Sequence, residues 1–342
     1  MQYIKSRLFM PVLSAFFAAA FWSCSTGTPV QSILSGVAEA PVFVDCKTVA
    51  SRQVEFRFSL PVKVRSLQFD PALEVDTIGE GETVSVSWFD DLPEGERITA
   101  DILVEDDSGN TLNVLVPFRT RNDRIPAFMI TEVRTEYSKP KVEFIEIKTS
   151  SAGNLGALRM YIAGGGIEEP VLDFPPVEVK AGEYLVIHLR TPADMAVHNE
   201  TGANLASVPY TKDNEAQEDA RDFWVPEAKK RITRKADAVW FTDQDDRIID
   251  ALLLSESADP WWSSELMADT AALLHAQGAW IAPNGEIPGP AAALISKNGT
   301  ATRTICRDES APDTNSAGDW YITATSSATP GKPNNVKRYE PK

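Results

Sequence analysis

Histidine and cysteine are scarce in this chain, with three of each in 342 residues. No cysteine belongs to a CxxC pair, so redox chemistry is not indicated. H-E-x-x-H, G-x-S-x-G and P-loop patterns are absent, as is any His/Asn cluster of nuclease type. Cations are also in deficit: 33 Lys and Arg face 49 Asp and Glu, a formal charge of −16. Such a surface has no basic field to exchange for counterions, which excludes nucleic acid and anionic headgroups as partners. Long apolar runs are missing too. The one candidate, Leu8 to Trp22, is short for a membrane span. What is present is material for cores: 43% hydrophobic residues, eight Trp and fifteen Phe, enough to exclude disorder of the whole.

The N-terminus reads MQYIKSRLFMPVLSAFFAAAFWSCSTGTP, with Lys5 and Arg7 ahead of the apolar run and Ser23-Cys24 behind it. These are the proportions of a cleaved export segment. It resembles a bacterial lipoprotein signal of the relaxed spirochaete kind, with Phe21 where Leu or Val is usual. The resemblance implies a signal over 1–23, cleavage that frees Cys24 for acylation, and anchoring to the bacterial envelope through lipid. Residues 24–40 are small and polar and read as a tether. The other cysteines, Cys46 and Cys306, lie 260 positions apart and are expected as two separately buried thiols.

From Pro41 the pattern is all-β. RQVEFRFSL places Val54, Phe56 and Phe58 on one face, and VKVRSLQF, ETVSVSWF, RITADILVED and TLNVLVPF follow as further short strands. LPEGE and DDSGN supply turns. The expectation is a first sandwich over 41–122, and its last two strands resemble those of bacterial Ig-like modules. Asp106 and Asp107, in the DDSGN turn, are candidate ligands for weakly held Ca²⁺. A polar joint, Arg119–Pro126, leads to a second strand system: AFMITEVRT, VEFIEIKT, LGALRMYIAGGG and VEVKAGEYLVIHL. Charge-dense sequence between about 191 and 235 reads as a partly helical, solvated insertion. DAVWFTDQDDRIIDALLLSES then forms a hairpin. A second insertion, about 256–300, contains one helix, SSELMADTAALLHAQGAW, with Ser264 as N-cap, Gly278 as its stop, and Leu266, Thr270, Leu273, Leu274 and Gln277 on one face. ATRTICRDE supplies another strand, and SAGDWYITATSSATPGKPN closes the chain before a tail, 336–342.

Residues 128–335 resemble a bacterial lamin-tail domain. The matching positions are Glu132, Glu143, Phe144, Glu146, Leu158, Gly182, Asp243, Asp250, Asp319, Trp320, Pro330, Gly331 and Asn334. Asp246 stands where that family usually has Gly, and Met160-Tyr161 where it has Trp. The resemblance implies a second Ig-like β-sandwich over 126–335, in tandem with the first and carrying the two insertions. Asp319, Trp320, Pro330, Gly331 and Asn334 are expected to close it.

Three functional readings follow. The leading one is a non-enzymatic, envelope-anchored lipoprotein that binds a protein, glycan or cell-wall partner, needs no cofactor, and uses Trp261, Trp262 and Trp280 around the helix. A second is a divalent-metal hydrolase built on the hairpin acids Asp243, Asp245 and Asp246, the best cluster of oxygen ligands in the sequence. A third is a structural envelope scaffold. Glu143 and Glu146, three apart on a strand, point to opposite faces and cannot pair as acid and base by spacing. His188 is expected as a satisfied imidazole in an apolar strand.

Overall fold

A computed structural model describes residues 39–166, 169–191, 196–227 and 229–341. The signal, Cys24 and nearly all of the tether lie outside the described residues. Among the described residues no helix is long and apolar enough to cross a membrane. The architecture is all-β, with several sheets in a tandem sandwich-like arrangement around two hydrophobic cores.

The first core is built by β1 (Phe43–Ala50), β2 (Gln53–Asp70), β3 (Val75–Ile78), β4 (Gly81–Trp88), β5 (Arg97–Asp106) and β6 (Thr111–Arg119). They form one sheet in the order β3-β4-β2-β5-β6, with β1 also on β2. The two segments read as separate strands are a single strand, β2. Its first half pairs with β1 and β4, and from Val62 it pairs with β5. Pro61, exposed and without an N–H, sits at the change of partner. A bulge between Val64 and Ser66 then moves the inward positions from even to odd, so that Leu67 and Phe69 turn to the core. The sheet folds over itself: Phe118 of β6 lies edge-on to Phe56 of β2 and against Trp88 of β4.

The second core lies between two sheets. One runs β14-β13-β8-β7-β18-β19: β7 (Phe128–Arg134), β8 (Phe144–Thr149), β13 (Tyr184–His188), β14 (Arg221–Trp224), β18 (Ile305–Arg307) and β19 (Trp320–Ile322). The other runs β11-β10-β15-β16-β17: β10 (Arg159–Ile162), β11 (Leu172–Asp173), β15 (Ala236–Thr242), β16 (Ile248–Ser255) and β17 (Leu294–Ile295). A small ladder joins β9 (Gly153–Asn154) to β12 (Glu178–Val179). Almost every residue of β15 and β16 is buried, because a helix, α1 (Glu265–Ala276), covers the face turned away from the six-stranded sheet. Ser264 caps α1 by accepting from Met267 N, and Gly278, at φ +68°, ends it.

Three expectations need correction. The buried stripe of α1 is Met267, Thr270, Ala271 and Leu274, while Leu266 and Leu273 face out. The 191–235 segment has no helix among its described residues and is only partly solvated. It supplies β14, which pairs parallel to β13, and a small core of Val208, Ala216 and Trp224. Its charges suggest solvent exposure, and Lys212, Asp213, Asp219 and Lys229 are exposed, but two are consumed inside: Arg221 binds Glu183, and Asp222 binds His188. Residues 336–341 are not a free tail either. Tyr339 N donates to Ile322 O, Ala324 N donates to Lys337 O, and Arg338 stacks on Tyr321.

Candidate functional site

Three places gather the residues that the sequence singles out. The first is the joint between the two cores. Gly95 and Gly156 bring the backbones of the two regions together so closely that a Cβ on Gly95 would lie 2.4 Å from Gly156 backbone atoms. Asn122 then donates from Nδ2 to the carbonyls of Asn154 (2.8 Å) and Gly156 (2.6 Å). Around this contact cations of the first region and the joint meet acids, most of them from the second region. Lys47 (3.1 Å) and Arg121 (3.2 Å) both reach Asp245, Arg97 and Arg119 both reach Asp173, and Arg124 bridges Glu94 and Glu178. The Lys47 ammonium, with Arg121, holds the Asp245 carboxyl below the usual range.

The hairpin acids are therefore placed as follows. Asp245 docks the first region. Asp243 Oδ1 accepts from Asp245 N and Arg247 N, and its Oδ2 accepts from Arg247 Nε. Asp246, at φ +60°, faces Arg159 at 2.9 Å. The cations beside all three are the protein's own. Asp106 closes its turn, accepting from Ser108 N, Asn110 N and Asn110 Nδ2, and Asp107 lies 3.5 Å from Lys63. Among the described residues no three His, Cys, Asp or Glu side chains converge as a metal cluster.

The second place is the outer face of the six-stranded sheet, and the sequence reading missed it. A bulge at Thr131 gives β7 one residue more than β8, so Ile130 pairs with Ile147 while Glu132 pairs with Glu146. Without that extra residue Glu132 would point into the apolar core. With it, two fully buried carboxylates stand opposite each other. The closing residues of the chain cover them. Thr329 N donates to Glu132 Oε2 (3.0 Å) and Gly331 N to Glu146 Oε2 (2.6 Å), while the Thr304 and Thr131 hydroxyls bind Glu132 and Glu146. Gly331 has φ +78°, and a side chain there would press on Ala220 and Gln217. Asn334 Nδ2 donates to the carbonyls of Thr131 and Arg307, and its backbone N–H donates to Glu309. Burial raises both carboxyls, Glu146 well above the ordinary value, with the Glu132 charge adding to the effect. Two acids amid apolar strand sequence, E-V-R and E-F-I-E-I, were the available signal.

Asp319 and Trp320 belong to the same closure. Asp319 accepts from Thr314 N, Thr314 Oγ1 and Ser316 N, and Trp320 packs in the core under the Arg307 guanidinium. Arg307 in turn binds Asp250 through two bonds of 2.9 and 2.8 Å, with both side chains buried. This pair ties β18 of one sheet to β16 of the other, and Ile130 N of β7 also donates to Asp250. Burial pushes Asp250 up to about 6 against the pull of Arg307. His188 is buried on Asp222 at 2.8 Å and stacked on Trp224.

The third place is the tryptophan group beside α1, which the structure divides. Trp280 is fully buried with Nε1 on Ala292 O, and Trp262 is anchored to Pro288 O. Trp261 is 83% exposed. Cys46 and Cys306 are free thiols, half-buried and buried, and burial pushes the Cys46 thiol up to about 12.

With this geometry in place, a family model described as "TP_1001_2nd: protein second domain" matches residues 126–322, more than half of the chain. The chain belongs to the TP_1001_2nd family. A protein of Treponema pallidum (strain Nichols) is 26% identical over 249 residues, 70% of this chain and 61% of the relative, so the chain spans about 61% of that relative's length. Among solved structures, a DUF4876 family protein from Bacteroides thetaiotaomicron VPI-5482 overlays 87% of this chain and 99% of its own, with 12% identity and a TM-score of 0.29. The N-terminal part of the bacterial S-layer protein SbsC overlays 39% of this chain and 37% of its own, with 16% identity and a TM-score of 0.24. Neither overlay bears on function. The TP_1001_2nd match ends at Ile322, the last residue of β19. The segment that covers Glu132 and Glu146 follows it.

Proposed function

We propose that this TP_1001_2nd protein is a non-enzymatic bacterial envelope lipoprotein, anchored through acylated Cys24, that presents a binding surface to a protein partner. The lamin-tail resemblance of residues 128–335 belongs to the same reading. The observation that carries it is the division of the tryptophans: two are pinned by indole hydrogen bonds, and Trp261, next to Trp262 in the chain, is left 83% exposed. A rigid aromatic side chain beside an anchored, half-buried neighbour loses little conformational entropy on binding, which is the property of an interface anchor. The ion-paired joint supports the reading further, since it fixes one core against the other as a spacer. The hydrolase alternative loses its proposed ligands to the joint and to the hairpin turn.

Two measurements test the proposal. Metabolic labelling with an alkyne fatty acid should mark the native chain and fail on Cys24→Ser. Cross-linking of the full chain in intact envelopes should give discrete adducts that Trp261→Ala reduces at least fivefold. Adducts unchanged in that variant would favour a structural scaffold.

A further inference from the structure

The surface around Trp261 is short of positive charge. Between Arg247 and Lys297 the chain contains no Lys or Arg, and His275 is the one side chain there able to take a positive charge. This stretch forms β16 and β17 of the five-stranded sheet and α1, which packs on that sheet. At the joint, acids are matched by nearby cations. Here Glu256 has Arg234, but Asp259, Glu265, Asp269 and Glu286 enter no ion pair among the described residues. Asp259 and Glu286 have only neutral neighbours, Ser257 and Asn284.

Apolar side chains stand exposed within that field. Trp261 is 83% and Ile287 59% exposed. They flank one contact, where Trp262 Nε1 meets Pro288 O and Gly289 packs against Pro260 O. On α1, Leu266 and Leu273 lie two turns apart on one outward face with Asp269 between them. Apolar anchors on a surface with unpaired negative charge complement a partner that carries both apolar and cationic side chains, because its Lys or Arg would neutralise the field and stack on the indole.

We infer that Trp261 and Ile287, with the acids Asp259, Glu265, Asp269 and Glu286, form a docking surface for a cationic, apolar peptide segment of a partner protein. The inference rests on the binding function proposed above and adds the chemistry of the partner. Pro260 and Pro288 hold the two anchoring loops, so the surface is formed before the partner arrives.

The test uses the purified full chain and three fluorescein-labelled twelve-residue peptides: alternating Leu/Lys, Leu/Glu and Ser/Lys. Fluorescence anisotropy should show micromolar binding of the Leu/Lys peptide and at least tenfold weaker binding of the other two. Trp261→Ala should weaken Leu/Lys binding at least fivefold. The combined variant D259N/E265Q/D269N/E286Q should weaken it and flatten its dependence on salt. Equal affinity for Leu/Lys and Leu/Glu peptides, or no effect of Trp261→Ala, overturns the inference. If envelope cross-linking still depends on Trp261 while the peptides show no charge preference, only the cationic assignment falls. If cross-linking is independent of Trp261, the binding function falls with it.

Discussion

The two cores of this protein are held by different physics. In the first, buried positions alternate with exposed ones along β2, β4 and β5, and nearly everything inside is Val, Ile, Phe or Trp. Asp106 is the one buried charge on those strands, and it serves a turn. The second region buries Glu132, Glu143, Glu146, Arg134, Asp222, Asp237, Asp250 and Arg307 beside its apolar residues. The contrast follows from layering. The first sheet has one covered face, whereas the second region covers its sheets on both sides, with α1 on one and the chain's closing segment on the other. A face that sequence alternation marks as polar is thereby removed from water, and each of its charges must find a partner.

The largest expected effect breaks the second core through charge. Arg307→Met leaves Asp250 buried without its cation, and denaturant melts should show a loss of about 3–5 kcal/mol. The variant R307M/D250N should recover at least half of it. A similar loss in the first core requires removing bulk instead: Phe56→Ala is expected to cost about 3–5 kcal/mol, with no rescue by any change of charge. If the double variant is no better than R307M, the second core depends on packing as the first does.

A smaller effect sharpens the comparison through pH. Glu132 and Glu146 hold their protons more tightly in the folded chain than in the unfolded one, where the ordinary value is 4.5. The folded state therefore binds more protons above that pH, and stability falls as pH rises from there through the raised folded values. Glu146→Gln keeps an acceptor for Gly331 N and a donor for Thr131 while removing the charge. It should flatten this fall and raise the neutral-pH melting temperature by about 2–4 °C for each kcal/mol regained. An unchanged pH profile would remove the carboxylate pair from the account of stability.

The smallest effect concerns the joint. Its ion pairs are partly solvated, so Asp245→Asn should cost only about 0–1 kcal/mol. Limited proteolysis between 120 and 126 should nevertheless quicken, and small-angle scattering should show a looser arrangement at high salt. Proteolysis equal to that of the native chain would leave the close Gly95–Gly156 approach as the element that fixes the regions.

Several features were legible from residue order alone. Alternation in RQVEFRFSL and RITADILVED fixes which faces turn inward, and Ser264 and Gly278 bound the helix. The closing D-W and T-P-G-x-x-N residues were expected to seal a sandwich, and Asp319, Trp320, Gly331 and Asn334 are all engaged there. Other features misled. Leu266 and Leu273 seemed inward because they are apolar, yet the helix turns its smaller residues Thr270 and Ala271 to the sheet. The 191–235 segment reads as solvated because it is charged, and Lys212, Asp213 and Lys229 are exposed, yet Arg221 and Asp222 are buried in pairs beside β13.

Local sequence determined the strand faces, the turns and the helix ends, because those depend on neighbours within a few positions. Tertiary structure alone decided which acids meet cations, which tryptophan stays outside, and that Glu132 stands opposite Glu146. Each of these depends on groups brought together from distant parts of the chain. For the carboxylate pair, one extra residue in β7 decided which side of the sheet an acid faces, and a segment almost 200 positions later covers it.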